Sequence, residues 1–380
     1  MRVGVVHPEL KSTGGANAVC LNVIEALQQD HKVDLITSGE PDIEGLNKAL
    51  GTYSRIDSVI VPDYSGVLNI PSKYSKKHFG IGLERMKKSL LNRYAQSISH
   101  NYDAIISTSN EIDINDIQTL QYIHVPQYGG KSIPGVVGND NQLLPIYNLL
   151  CRRMGGMDIE FDESDCLVSN SKWTAKMVEK AYNVDSKVVY PPVVPPKDSK
   201  SFEKREDGFI CIGRIYPSKN IKKIIKMIKS VRETGYDTHL HIIGPESSTQ
   251  YNQEIKNRVS KYDWVSLEGK LDRSELNNAL ISHKYGIHGR QYEHFGIAVA
   301  EMAMSGTIPF VPRSGGQTEI VNESNLLTYE NPEEAVRNIT TVMSNNDLQK
   351  DLLSQLNRSS EQFSRENFKK DIRKIVEDIN

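Results

Sequence analysis

The chain has 380 residues, 38% of them hydrophobic and 25% charged, with a formal net charge of -2. That length suits two domains of about 150–200 residues each, and so small a net charge excludes a global field that would steer the protein to nucleic acid. No apolar run approaches the roughly 18–20 residues that span a bilayer, and the four cysteines at 20, 151, 166 and 211 lack metal-type or disulfide-type spacing, so a cytoplasmic protein with reduced thiols is expected.

Residues 2–6 (RVGVV) predict a first strand rather than the apolar core of a signal peptide. A Gly-containing loop at 12–15, a helix over 16–29 and a strand over 33–37 follow, which is the opening of a parallel sheet. Residues 104–107, 120–124 and 166–169 read as further buried strands, 173–182 as a helix, and 188–190 as the strand that closes the first half. Pro191-Pro192-Val193-Val194-Pro195-Pro196 then excludes helix and central strand and predicts a stiff, extended connector.

The second half repeats the alternation. Strands are expected at 208–212, 238–243, 265–267, 285–288 and 307–311, with helices at 221–234, 251–261, 273–282 and 296–305. The expected domains are therefore 1–190, a proline-rich hinge over 191–207, and 208–361. The charged helical tail, 362–380, is expected to return and complete the first domain. The fold class is α/β, with two doubly wound, Rossmann-like domains facing a central cleft and ligands at the carboxyl ends of the strands.

The segment richest in chemistry is 288–321, HGRQYEHFGIAVAEMAMSGTIPFVPRSGGQTEIV. Glu293 ends a polar loop after a strand, His294-Phe295-Gly296 leads into a helix, and Glu301 lies inside that helix. Backbone N–H groups at a helix start attract an anion, and a glycine permits close approach. Residues 296–298 therefore predict a phosphate or sugar cradle, and Glu301 an acceptor for ribose hydroxyls. Two glutamates eight apart are a weak sign alone. The specific sign adds Ser305-Gly306-Thr307-Ile308-Pro309 and Gly315-Gly316 with Glu319.

Three shorter motifs join it. In Gly213-Arg214-Ile-Tyr-Pro-Ser-Lys219-Asn220, the planar fork of Arg214 and the point charge of Lys219 can converge on a diphosphate. Thr13-Gly14-Gly15-Ala16-Asn17 sets tandem glycines before a helix, where backbone can approach a phosphate or sugar. It is not the GxGxxG of a dinucleotide fold, which disfavours a dehydrogenase. Tyr122-Ile123-His124-Val125-Pro126 places His124 at the end of a buried strand, where a lone histidine is most often structural. The acidic run 158–165 holds no DxD and no histidine, so it reads as a solvated face and no metal is expected. Finally, 73–93 carries seven Lys/Arg against Glu84, with apolar residues interleaved. Such a segment either lies on an anionic membrane surface or covers the first domain as a solvated helix.

Across nearly its whole length the sequence resembles glycosyltransferase family 4, the retaining branch of the GT-B fold. The E-x7-E pattern matches at Glu293 and Glu301, and the EHFGI and YPP wording is most similar to mannosyltransferases that extend lipid-linked oligosaccharides. The resemblance implies transfer of a hexose of mannose or glucose type from a GDP- or UDP-linked sugar to a glycan or lipid-linked acceptor, with no metal or other cofactor. It implies that Glu301 holds the ribose, that Arg214 and Lys219 hold the diphosphate and stabilise its departure, and that Glu293, His294, Phe295, Gly296 and Ile297 hold the sugar. The loops at Gly244 and at Gly269-Lys270-Leu271 would read the base, the Gly15 loop would face the diphosphate, and His124 would support the transferred sugar. Retention often means a double displacement through a carboxylate. The family is instead described by front-face attack, in which Glu293 positions the sugar and the departing phosphate takes the acceptor's proton. No nucleic-acid partner is implied, and residues 73–93 would make peripheral contact with the cytoplasmic membrane face. The alternatives are a nucleotide-sugar epimerase or sugar phosphorylase of the same fold, or a catalytically silent nucleotide-sugar-binding module.

Overall fold

The computed structural model describes residues 1–11, 13–62, 84–128, 144–162, 164–246 and 249–379. They divide into two compact units, Met1–Pro192 with Arg365–Asn380, and Val193–Ser364.

The first unit is built on strands β1 (Arg2–Val6), β2 (Lys32–Ile36), β3 (Ser58–Ile60), β4 (Ala104–Ser107), β5 (Gln118–Ile123), β6 (Asp165–Ser169) and β7 (Lys187–Val188). They pair in parallel in the order β3-β2-β1-β4-β5-β6-β7. The interior strand β1 is buried at Val3 through Val6, which is why it reads as an unbroken apolar run rather than an alternation. Helices α1 (Gly15–Leu27), α2 (Ile43–Leu50), α3 (Glu84–Ile98), α4 (Leu144–Gly155) and α5 (Lys172–Tyr182) accompany the sheet. Val19, Val23, Ile24 and Leu27 give α1 an apolar stripe at helical spacing, and they pack with Val3, Val5 and Val33 of the sheet.

The second unit holds β8 (Glu206–Ile212), β9 (His239–Ile243), β10 (Val265–Gly269), β11 (His283–Ile287), β12 (Ile308–Pro312) and β13 (Thr328–Tyr329). Their order is β10-β9-β8-β11-β12-β13, again parallel. Its helices are α6 (Ile221–Glu233), α7 (Gln250–Val259), α8 (Arg273–Ser282), α9 (Ile297–Met304), α10 (Gln317–Ile320), α11 (Pro332–Met343) and α12 (Asn346–Ser360). Helix α6 buries Ile221, Ile224, Ile225, Ile228 and Val231. Helix α8 starts on a reciprocal cap in which Asp272 accepts from the Glu275 N–H and Glu275 accepts from the Asp272 N–H.

The expected hinge over 191–207 is too long. Val193 already belongs to the second unit and donates its N–H to the Phe363 carbonyl (2.9 Å). Arg205, within the polar stretch read as linker, is buried and donates to the Ser305 carbonyl (2.6 Å) and to the carbonyls of Leu280 and His283 (3.4 Å each). A guanidinium with carbonyl acceptors on several sides is at home inside a protein, and composition alone does not reveal that.

The charged tail breaks after Ser360, and a last helix, α13 (Arg365–Asp378), joins the first unit. Phe368, Ile372, Ile375 and Val376 enter the same core as α1. Lys369 pairs with Glu25 of α1 at 2.6 Å, with both side chains nearly buried. No helix among the described residues is long and apolar enough to cross a membrane.

Candidate functional site

At the carboxyl edge of the second unit's sheet, three strands end in glycine. Gly213 follows β8, Gly244 follows β9, and Gly269 closes β10. The Gly213 N–H donates to the Ile243 carbonyl (2.9 Å), and the Gly244 N–H donates to the Gly269 carbonyl (2.7 Å). Gly244 has φ +153°, and a Cβ there would stand 2.1 Å from the Gly213 carbonyl oxygen. This stretch of the edge is therefore bare backbone that a ligand can approach closely.

Strand β11 delivers His288, and the chain then turns back to place Glu293 beside it. One carboxylate oxygen of Glu293 accepts from Lys219 Nζ at 2.7 Å and lies 3.2 Å from His288 Nε2; the other lies 3.2 Å from Arg290 Nη1. The backbone of Glu293 is held as well, its carbonyl accepting from the Gly316 N–H at 2.8 Å. Gly315 has φ +79°, and a Cβ on it would come within 2.3 Å of the Glu293 carbonyl oxygen. The tandem glycine of the motif thus docks the backbone of Glu293. Burial by itself would raise the Glu293 carboxyl, but His288, Lys219 and Arg290 outweigh it and hold the group well below the usual carboxylate range. Burial, with Lys219 adding to it, lowers His288. Near neutral pH the pair is a carboxylate and a neutral imidazole.

Helix α9 begins next to this carboxylate. Its N-cap, Gly296, has φ +104° and offers no side-chain cap, which leaves the start of the helix with the positive character that suits an anion. Of the motif residues, Ile297 opens that helix, while Phe295 is buried and packs edge-on against Phe363 at 5.5 Å. Burial pushes the His294 imidazole down to about 4. The ring expected to touch a donor therefore serves the core at position 295. Glu301, further along α9, is mostly buried and pairs with Arg273 Nη1 of α8, whose other amino group donates to the Val194 carbonyl at 2.6 Å. Arg214 stands exposed and has no ion pair among the described residues. Leu271, half-buried, follows the β10 edge. The structure thus joins Lys219 to Glu293 and adds His288, Arg290 and Arg273, which the sequence reading did not name.

The carboxyl edge of the first unit has its own polar cluster. His7 follows β1, Thr108 follows β4 and His124 follows β5. Nε2 of His7 faces Asn17 Oδ1 at 2.9 Å, and Nδ1 faces Thr108 Oγ1 at 2.8 Å. Burial lowers His7 to about 3, so its ring is neutral. Nε2 of His124 lies 3.1 Å from the Thr108 carbonyl, which only accepts, so this nitrogen carries a proton. Gly15 is the first residue of α1, whose N-cap Gly14 likewise has no side-chain cap. The signal for His7 was present in the sequence: it follows a buried strand just as His124 does.

The acidic run needs a correction. Asp158 pairs with Arg152 (3.0 Å) on the surface, but Asp165 opens β6 and accepts from the Thr119 hydroxyl (2.5 Å) and the Gln121 amide (2.7 Å). It staples β5 to β6 rather than facing solvent. Residues 73–83 of the basic stretch, Ser12 and Glu163 lie outside the described residues. All four cysteines are free.

Residues 196–357 match the family model described as "Glycosyl transferases group 1". The GDP-Man:Man(3)GlcNAc(2)-PP-Dol alpha-1,2-mannosyltransferase of Dictyostelium discoideum is 23% identical over 241 residues, covering 57% of this chain and 48% of that protein. The Mus musculus protein of the same name is 26% identical over 366 residues, covering 83% and 73%. The chain spans about half the length of the Dictyostelium relative. Among solved structures, Anabaena HepE in complex with UDP and glucose superposes with a TM-score of 0.70 at 14% identity, covering 100% of both chains. Sucrose-phosphate synthase of Thermosynechococcus elongatus gives 0.69 at 14% identity, covering 100% and 98%. The fold, with its two Rossmann-like sheets, is that of the GT-B glycosyltransferases.

Proposed function

From the match of residues 196–357 to the group 1 glycosyl transferase model we propose that the chain moves a hexose from a nucleotide diphosphate sugar to a glycan or lipid-linked acceptor. One observation carries the reading: a mostly buried carboxylate, Glu293, is held by Lys219, His288 and Arg290 beside the uncapped start of α9. A diphosphate sugar needs cations and N–H donors for its phosphates, backbone without side chains for close approach, and an acceptor for its hydroxyls. All of these stand at one sheet edge. The names of the sequence relatives point to GDP-mannose as the donor, with a UDP-linked glucose the competing choice from the HepE complexes with UDP and glucose and with UDP-glucose.

The state of Glu293 bears on how it acts. Its three neighbours occupy both oxygens and stabilise the ionised form, which makes it a poor proton donor at neutral pH and a weak nucleophile. That supports a positioning role: the carboxylate orients Lys219 and accepts from the hexose. Exposed Arg214, Lys219 and the α9 amides would neutralise the departing diphosphate without a metal. The diphosphate oxygen released on cleavage then takes the acceptor's proton, and the acceptor attacks from the same face, which retains configuration. Glu301, now paired with Arg273, would take the ribose hydroxyls, and Gly244 and Leu271 the base. On the first unit, Gly15 and His124 would take the acceptor.

A lipid-linked acceptor would bring the protein to a membrane surface. The basic stretch 73–93 supports such contact, as does α4, which exposes Ile146, Leu149 and Leu150 and carries Arg152 and Arg153 in its last turn. Co-sedimentation with anionic but not neutral vesicles is the expected result.

The test of the donor assignment is a thermal-shift series with GDP, UDP, ADP and dTDP, with and without magnesium. A ligand at 100 times its dissociation constant stabilises by about 2.7 kcal/mol. A shift with GDP that is indifferent to magnesium and lost in Glu301→Ala is expected. No shift with any nucleotide would overturn the assignment.

A further inference from the structure

We propose that the second unit also holds one zinc-type divalent metal ion, bound by His239, His241 and His283 with Glu206, at the end of the sheet opposite the donor site. His239 and His241 lie two apart on β9 and so share one face, while His283 opens β11. The strand between them, β8, carries Gly208 opposite His239, and a Cβ at Gly208 would come within 2.1 Å of His239 Nε2. That missing side chain is the space into which the three rings gather. Their centroids are 4.8–5.2 Å apart, and their candidate ligand atoms all lie within 4.8 Å of one another. Glu206, paired with His283 across the sheet, places a carboxylate oxygen 3.4 Å from His239 Nε2 and 4.0 Å from His283 Nε2.

The far sides of two of the rings, His283 and His241, show what the near sides are for. Nδ1 of His283 lies 2.8 Å from the Ala279 carbonyl, an acceptor only, so it carries the proton and Nε2 turns a lone pair into the cluster. That Nε2 is buried and has no hydrogen-bond partner, and the same is true of His239 Nε2. Nδ1 of His241 lies 2.9 Å from a carboxylate oxygen of Glu268. A ring whose outer nitrogen is fixed by a carbonyl or carboxylate, leaving the inner one bare, is the second shell typical of metal-bound histidine. Simple ring stacking would leave two buried ring nitrogens without a hydrogen-bond partner, which folded proteins mostly avoid. Tetrahedral zinc with bonds of about 2.0–2.1 Å would draw the nitrogens to about 3.3 Å from one another, which small χ rotations supply.

Three imidazoles and one carboxylate suit zinc, cobalt, nickel or copper rather than magnesium or calcium. The strand starts that hold this cluster are about 16 Å along β9 from the carboxyl edge. The ion would therefore clip β8, β9 and β11 together and take no part in sugar transfer, so the proposal stands independently of the donor assignment.

The test uses the tag-free, full chain, stripped with chelator and titrated with cobalt(II). One equivalent is expected to bind at micromolar concentration with the strong visible band of a tetrahedral site, to be displaced by zinc, and to raise the melting temperature where magnesium does not. His241→Gln alters a half-exposed ring, so it should leave the metal-free melting temperature unchanged while abolishing the band. A wild-type protein that takes up no stoichiometric cobalt, or an H241Q protein that takes it up as before, would overturn the proposal.

Discussion

Replacing Glu293 by glutamine removes one charge and almost no volume. The side chain is 13% exposed and its cations Lys219 and Arg290 are 20% and 23% exposed. Removing one partner of a fully buried pair costs about 3–5 kcal/mol. Here water reaches the cations in part, and the amide oxygen still accepts from Lys219, so about 2–3 kcal/mol is expected. In a unit of this size that lowers the melting temperature by about 5–10 °C. The deficit also depends on pH. The Glu293 carboxyl is lower in the folded than in the unfolded protein, so its stabilisation is fully present above the unfolded value of about 4.3 and is lost as pH falls through the folded one. Wild type and E293Q should therefore converge in stability under strong acid. For catalysis, losing a charged contact to the hexose should cut the transfer rate by about a hundredfold, the equivalent of about 2.7 kcal/mol. GDP alone, which has no hexose, should still raise the melting temperature of the variant. The assay pairs transfer from GDP-mannose with the GDP thermal shift on one preparation. Wild-type transfer by E293Q, or equal loss of transfer and GDP binding, would refute the positioning role.

Gly244→Ala drives a Cβ to 2.1 Å from the Gly213 carbonyl oxygen; thermal-shift measurements should show a lower melting temperature and no response to nucleotide. His7 titrates at about 3 in the folded protein against about 6.5 unfolded, so the first unit should lose stability at up to about 1.4 kcal/mol per pH unit as pH falls through that window, and denaturant titrations of His7→Gln should show a flatter slope. A chain ending at residue 364 loses four buried apolar side chains, Phe368, Ile372, Ile375 and Val376. At about 1.5–3 kcal/mol each the loss is about 6–12 kcal/mol, comparable with a whole domain's stability. Limited proteolysis should digest its first unit and spare the second.

Much of this was legible in the sequence. Buried parallel strands announce themselves as apolar runs, as in RVGVV and GFICI, and the Glu293–Glu301 motif points to the candidate site. What stayed hidden depends on register. Lys219 and Glu293 are 74 positions apart and meet only because β8 and β11 are neighbours. The Arg273 partner of Glu301 arrives on another helix, and Gly315 matters only because the Glu293 backbone lies against it. The edge strand β3 is mostly exposed and three residues long, too short to show a period. Phe295 shows the opposite failure: it belongs to a functional motif, yet its ring fills the core.

The closing helix also sets an order of events on the ribosome. Residues 1–192 emerge before the second unit, but the apolar stripe of α1 meets Phe368, Ile372 and Val376 only after the whole second unit has been made. The second unit is contiguous in sequence and can bury its core as soon as residue 364 clears the exit tunnel. The unit that is begun earlier is thus completed later than the one that follows it, and during elongation it exposes the apolar surface that chaperones bind.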